Sequence, residues 1–273
     1  MRFFSHRRPA RYKRDMEIVI LASPDAVCAA GAAAVASLLT RRPDAVLGLP
    51  TGATPRPLYA ELVRRHRTEG LSFARATTFN LDEYVGVAPH QPGSFRRYME
   101  EALFRHVDLP RERAHVPDGL AADVPAACAA YEAAIAAAGG LDLALLGLGG
   151  DGHIAFNEPT SSLASRTRIK TLSAASRTAN QAAFGKDPVP GHVVTMGIAT
   201  ILDARACLLL AYGAGKARAL AAMAEGPVTA MVPASALQLH AHVTVLCDEA
   251  AASDLALRDY YREVQAKKPG WQR

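Results

Sequence analysis

Short runs of continuous apolar residues alternate with longer amphipathic or alanine-rich stretches along most of the chain. The runs Glu17–Leu21, Ala45–Leu49, Thr77–Leu81, Leu141–Leu148, Ala206–Tyr212 and Val243–Cys247 predict buried strands. Between them, Ala26–Leu39, Pro55–His66, Ser94–Arg105, Pro125–Ala137, Gly215–Glu225 and Ala250–Ala266 predict helices. Continuous apolar strands separated by helices imply an α/β fold with a mostly parallel sheet covered on both faces. No repeat, linker or composition break divides the body, so one domain is expected over residues 16–273. The span 160–190 is polar and rich in Ser, Thr and Arg, and reads as a lid or binding element, or else as a pair of surface helices.

Charge and cysteine content narrow the class. The net charge is +5, but residues 1–15 hold six basic residues against one acid, Asp15, so the body is neutral. A neutral body offers no field for a polyanion, and no nucleic-acid partner is expected. The basic stretch 1–15 is expected to be a solvated, disordered extension, with Met16 as an alternative start. It lacks the apolar core of a secretory signal, and no run reaches the ~18 apolar residues of a spanning helix. Cys28, Cys128, Cys207 and Cys247 form no C-x-x-C pair and sit in apolar surroundings, as buried reduced thiols of a cytoplasmic protein do.

Three polar motifs follow predicted strands, where doubly wound sheets bind ligands. The first, Gly48-Leu-Pro-Thr-Gly-Ala-Thr-Pro55, joins a strand to a helix start. Thr51, Gly52, Ala53 and Thr54 offer amides and hydroxyls to an anion, with Thr54 expected as the N-cap. The second, Asn80-Leu-Asp-Glu-Tyr-Val85, places two adjacent carboxylates at a strand end. One suits a base facing a cleft, and the other an ion pair or an oligomer contact. The third, Leu146-Gly-Leu-Gly-Gly-Asp-Gly-His-Ile-Ala-Phe-Asn-Glu-Pro159, turns sharply through clustered glycines. Asp151, His153 and Glu158 project from it as a histidine flanked by two carboxylates, an acid–base arrangement. The same trio is a conceivable metal site, but no further His or Cys stands nearby, and no metal is assigned.

These motifs, with Ser161-Ser-Leu-Ala-Ser-Arg-Thr-Arg-Ile-Lys-Thr-Leu172 and Val232-Pro-Ala-Ser-Ala-Leu-Gln-Leu-His240, resemble the glucosamine-6-phosphate deaminase family in order and spacing over roughly residues 17–262. That family lies in a broader group that includes the 6-phosphogluconolactonases. The resemblance implies a Rossmann-like, doubly wound α/β domain, no cofactor, and an isomerising deamination of glucosamine 6-phosphate to fructose 6-phosphate and ammonia. It gives Asp82 the role of the base at carbon 2, and His153 that of the ring opener. Asp151 and Glu158 match the carboxylate partners of the histidine. Residues Thr51–Thr54 and Lys216 match phosphate contacts. Some members are hexamers activated by N-acetylglucosamine 6-phosphate, and Ser161, Arg168, Lys170 and Thr171 match that second site.

The chain departs from the family pattern at Ala182. An arginine that reaches the substrate phosphate often stands there, and Arg177 and Lys186 are the nearby cations that could replace it. The departure keeps open a deaminase for another hexosamine phosphate, such as galactosamine 6-phosphate. A 6-phosphogluconolactonase fits less well, because the segment Phe156-Asn-Glu-Pro159 is not typical of its histidine loop. A non-enzymatic sugar-phosphate sensor fits least well, since the acid–base residues are intact and no DNA-binding helix pair follows the basic stretch.

Overall fold

The computed structural model describes residues 16–269. Its elements run β1 (Glu17–Leu21), α1 (Pro24–Arg41), β2 (Val46–Leu49), α2 (Arg56–Glu69), β3 (Thr77–Asn80) and β4 (Asp82–Tyr84). There follow α3 (Phe95–Ala102), β5 (Ala114–His115), α4 (Val124–Ala137), β6 (Leu143–Gly147), β7 (Arg168–Thr171) and α5 (Ala174–Phe184). The chain continues through β8 (His192–Thr195), α6 (Ile198–Leu202), β9 (Cys207–Ala211), α7 (Ala217–Ala224), β10 (Val243–Asp248) and α8 (Arg258–Ala266). The basic stretch 1–15, expected to be disordered, lies outside the described residues.

Seven strands form one parallel sheet in the order β1-β10-β9-β6-β2-β3-β5. From β2 the chain winds one way to β3 and β5. From β6 it winds the other way to β9 and β10, so the order reverses between β2 and β6. Such a switch point opens a crevice at the carboxyl ends of the strands. A core cluster covers each face of the sheet. One centres on Leu146, Leu209, Leu220 and Val245, and the other on Val27, Leu47, Leu58 and Leu208. Adjacent residues of β6 and β9 divide between the two clusters, as the two-residue period of a strand requires. All four cysteines are buried, Cys28, Cys207 and Cys247 within these clusters.

The six predicted strands are present, and the doubly wound reading holds. A second sheet was not anticipated: β4, β8 and β7 pair antiparallel in that order. It stands beside the crevice over a third, small core of Tyr84, Phe95, Phe156, Leu172, Phe184 and Val193. Within this core the Tyr84 and Phe184 rings meet edge to face at 5.0 Å. The polar span 160–190 therefore holds the edge strand β7 and helix α5 rather than a helix pair. The last helix is shorter than expected. Residues 249–257 are mainly turns, and Glu225 accepts the amides of Ala256 and Leu257 just before α8 begins.

Candidate active site

Four neighbouring strands, β9, β6, β2 and β3, deliver the candidate residues from their carboxyl ends. After β2 comes the Thr51–Thr54 turn, in which Gly52 has φ +99°. Tyrosine hydroxyls hold alternate carbonyls of this turn. Tyr59 donates to Pro50 O at 2.6 Å, Tyr98 to Gly52 O at 2.7 Å, and Tyr212 to Thr54 O at 3.0 Å. The amides of Thr51, Gly52, Ala53 and Thr54 donate to no acceptor among the described residues. The carbonyls are thus engaged by the protein, and the donors are left for an anion. The expected cap at Thr54 is corrected here. Pro55, in αR geometry, occupies the N-cap position of α2, and no side chain caps the helix.

The two carboxylates after β3 part company because successive strand residues point to opposite sides. Glu83 is buried and accepts the amides of Tyr84, Phe95 and Arg96 and the hydroxyl of Ser94. It therefore satisfies the first turn of α3, and among the described residues it forms no ion pair. Burial nonetheless pushes its pKa up.

Asp82 faces the other way and is only 5% exposed. Its Oδ1 accepts the amide of Phe156 at 3.3 Å, and its carboxylate bonds the hydroxyl of Thr195, its partner across β4–β8. Burial raises its pKa to about 7. The bonds from Thr195 and Phe156 and the nearby His153 only partly offset that rise.

The glycine-rich loop after β6 places His153 beside this carboxylate. Gly149 makes the placement possible, since a Cβ there would lie 2.3 Å from the imidazole ring. Gly152, with φ +84°, packs under Val232, and its carbonyl accepts the amide of Ala234. The late segment Val232–His240 thus buttresses the loop. Nδ1 of His153 lies 2.6 Å from Oδ1 of Asp151, a close contact without the alignment of a hydrogen bond. The histidine lowers the pKa of Asp151. The contact commits Nδ1 and leaves Nε2 for a substrate.

Glu158 does not join this pair. Its carboxylate accepts the amide of Ser173 at 3.2 and 3.3 Å, the Ser173 hydroxyl at 2.7 Å, and the Ser176 hydroxyl. Ser173 is the N-cap of α5. Glu158 therefore ties the histidine loop to α5, and the sequence picture of a histidine between two carboxylates is met on one side only.

Lys216 closes the far side of the site, in the 3-10 turn Ala214–Lys216 after β9. The turn is oriented by buried Asp248, which accepts the Gly213 amide at 3.0 and 3.1 Å. Burial lowers the pKa of Lys216, and nearby Asp151 opposes that shift.

The set Ser161, Arg168, Lys170 and Thr171 lies around β7, where Arg168 pairs with Thr195, which pairs on its other side with Asp82. Among the described residues, Ser161 Oγ is buried without a hydrogen-bond partner. Arg168 is half-buried and bonds Asn157 Oδ1 at 2.8 Å, with no carboxylate in contact among the described residues. Ala182 is exposed on α5. Among the described residues, no group of three or more His, Cys, Asp or Glu side chains is disposed to hold a metal ion. A concavity of about 810 Å³ runs along α3 past Arg96, Phe104 and Arg111, and includes none of the site residues.

Sequence reasoning missed Thr195, Asp248 and the three tyrosines. Only Tyr59, four residues into the helix after Pro55, carries a local signal, since its spacing puts it one turn below the anion loop.

A buried carboxylate near a histidine, with a turn of free amides at the same switch point of a parallel sheet, is an arrangement found in enzymes that act on small anionic substrates. The chain belongs to the family of glucosamine-6-phosphate isomerases and 6-phosphogluconolactonases, whose model matches residues 22–246. It is 55% identical to a glucosamine-6-phosphate deaminase of Arthrobacter sp. (strain FB24) over 258 residues, 94% of this chain and 99% of the relative. It is 52% identical to a protein of the same description from Mycolicibacterium smegmatis over 259 residues, with the same coverage. A solved structure described as a monomeric glucosamine-6-phosphate deaminase superposes with a TM-score of 0.86 at 43% identity, covering 88% of this chain and all of that one. No described helix is long and apolar enough to cross a membrane.

Proposed function

We propose that this protein is a glucosamine-6-phosphate deaminase, converting glucosamine 6-phosphate and water to fructose 6-phosphate and ammonia in amino-sugar catabolism. The observation that carries the reading is Asp82: a buried carboxylate beside His153, with its pKa raised to about 7. Such a group is ionised enough at neutral pH to take a proton from carbon, and basic enough to take it efficiently.

His153 opens the sugar ring. Nε2 takes the proton of the carbon 1 hydroxyl and returns one to the ring oxygen, while Asp151 holds the ring through Nδ1 and stabilises its cationic form. The open aldehyde acidifies the hydrogen at carbon 2. Asp82 removes it to give an enolamine and delivers it to carbon 1, and water then hydrolyses the resulting imine and releases ammonia. The Thr51–Thr54 amides and Lys216 hold the phosphate far from the reacting carbons, so binding energy there positions the chain for reaction. Glu158 acts through α5, the central part of a lid over residues 160–190.

Ser161, Arg168, Lys170 and Thr171 form a second phosphate site for N-acetylglucosamine 6-phosphate. The unpartnered Ser161 hydroxyl and the half-buried Arg168 support an anion there. Activation by that ester would appear as a left-shifted substrate curve, and sedimentation with and without it would separate a monomer from a hexamer. An ammonia-release assay on epimeric hexosamine phosphates tests the main reading. Release from the galactosamine ester alone would move the assignment to that epimer, and hydrolysis of 6-phosphogluconolactone without ammonia would replace it.

A further inference from the structure

Arginines around the anion loop are mostly spoken for. On α2, Arg64 and Arg65 pair with Glu61, and on α3, Arg96 and Arg97 pair with Glu100 and Glu101. Arg56, the first residue of α2, has no carboxylate within ion-pair distance among the described residues. Its amide donates to Ala53 O at 3.3 Å, so its backbone is part of the anion turn. Its guanidinium lies over the ring of Tyr98, 5.1 Å from the centroid. The hydroxyl of the same tyrosine donates to Gly52 O at 2.7 Å. One ring therefore orients the peptide of the anion loop and holds a cation beside it. Burial raises the Tyr98 pKa to about 12 despite the nearby Arg56, so the phenol stays protonated and keeps donating to the loop.

We propose that Arg56, held on Tyr98, is the arginine that engages the substrate phosphate in this protein, in the role that Ala182 leaves unfilled. Position 182 lies on α5, in the lid span. Arg56 starts from the loop itself, so its cation is in place whether or not α5 moves. A guanidinium resting on an aromatic face gives up part of its rotamer freedom before the ligand arrives. Its flat fork suits two phosphate oxygens at once. Arg177 and Lys186 are weaker candidates. Like Arg56 both are exposed, but among the described residues neither rests on an aromatic ring, and the Arg177 guanidinium bonds Leu172 O at 3.5 Å, on its own segment.

The inference rests on the phosphate-ester reading of the site, so the test has one arm that needs no turnover. Binding of inorganic phosphate to the full chain is measured by calorimetry for wild type, Arg56→Gln and the helix-mate control Arg65→Gln. In parallel, steady-state kinetics with glucosamine 6-phosphate are measured for the same proteins, for Ala182→Arg, and for Arg56→Gln combined with Ala182→Arg. Arg56→Gln is expected to weaken phosphate binding and raise KM about tenfold or more, with kcat within about twofold. Arg65→Gln is expected to change neither. Ala182→Arg should do little in the wild-type background and restore most of the loss in the double variant. Tyr98→Phe keeps the stacked ring but frees the Gly52 carbonyl, and is expected to raise KM by a smaller factor. Unchanged phosphate affinity in Arg56→Gln overturns the proposal, as does a matching loss in Arg65→Gln or a larger one in Arg177→Ala or Lys186→Ala. If wild type binds phosphate but releases no ammonia, the functional reading fails while the calorimetric arm still decides on Arg56. If wild type binds no phosphate, both fall.

Discussion

The carboxylate of Glu158 accepts both the amide and the hydroxyl of Ser173, joining the end of the histidine loop to the first turn of α5. A cap of this kind contributes about 1 kcal/mol. Ser173→Ala should therefore lower the melting temperature by a few degrees and speed hydrogen exchange of the α5 amides. The strands of the parallel sheet should keep their protection. Unchanged exchange in α5 would show that Phe184 packing alone anchors the helix.

Asp82→Asn should abolish turnover while phosphate binding by calorimetry stays within about twofold, because the amide keeps the shape but cannot take the proton. The same change should stabilise the protein in a pH-dependent way. The folded pKa of Asp82, about 7, lies above its ordinary value of 3.8. Wild type therefore has the full benefit of a protonated buried carboxyl below about pH 4 and loses it as pH rises through 7. The loss is on the order of 4 kcal/mol at most. The melting temperature of the variant relative to wild type should accordingly be more favourable at pH 8 than at pH 4. A constant difference across that range would mean that Asp82 titrates normally.

The acid limb of kcat/KM should fall near pH 7, with activity rising as Asp82 ionises in the free enzyme. Thr195→Val removes a hydrogen bond that favours the ionised form. It should move that limb upward by about half a unit to one unit. An unmoved limb would assign the titration to another group.

Gly149→Ala would place a methyl 2.3 Å from the His153 ring. Because the added atom meets a side chain at the loop surface, the ring should be displaced without unfolding the domain. Turnover of the closed sugar should drop by about a hundredfold or more, since small misplacements of reacting groups have effects of that size. His153→Gln should likewise slow the closed sugar more than an open-chain analogue. Equal losses on both substrates would remove His153 from ring opening.

The large sheet was legible because its strands are buried on both faces and read as unbroken apolar runs, as in Leu143–Gly147 and Cys207–Ala211. The small sheet was not. β4 is Asp-Glu-Tyr and β7 is Arg-Ile-Lys-Thr, and neither spells a strand by apolar pattern. Their pairing comes from β8, three residues of which are buried. The residue types at the site were readable from the glycine spacing and the strand-end carboxylates, but their partners were not. Glu83 and Glu158 look like chemistry in the sequence. The structure gives each a helix start to cap, and sequence adjacency cannot reveal which carboxylate meets solvent and which meets Phe95, Arg96 or Ser173. The tyrosine hydroxyls come from three separate elements, so no local pattern announces them.

Of the helices that begin around the crevice, α2, α3 and α5 are treated unequally by the chain. The opening of α3 is occupied by Glu83 and that of α5 by Glu158, whereas the first turn of α2 meets no carboxylate of the chain among the described residues. Two of the three electropositive helix ends are thus internally neutralised, each by a tethered anion at an effective concentration that no solute can match. Among these three openings, sulfate, phosphate and carboxylate metabolites should then favour that of α2. Inhibition by simple anions bound at that opening should be competitive with the sugar ester and first-order in the anion.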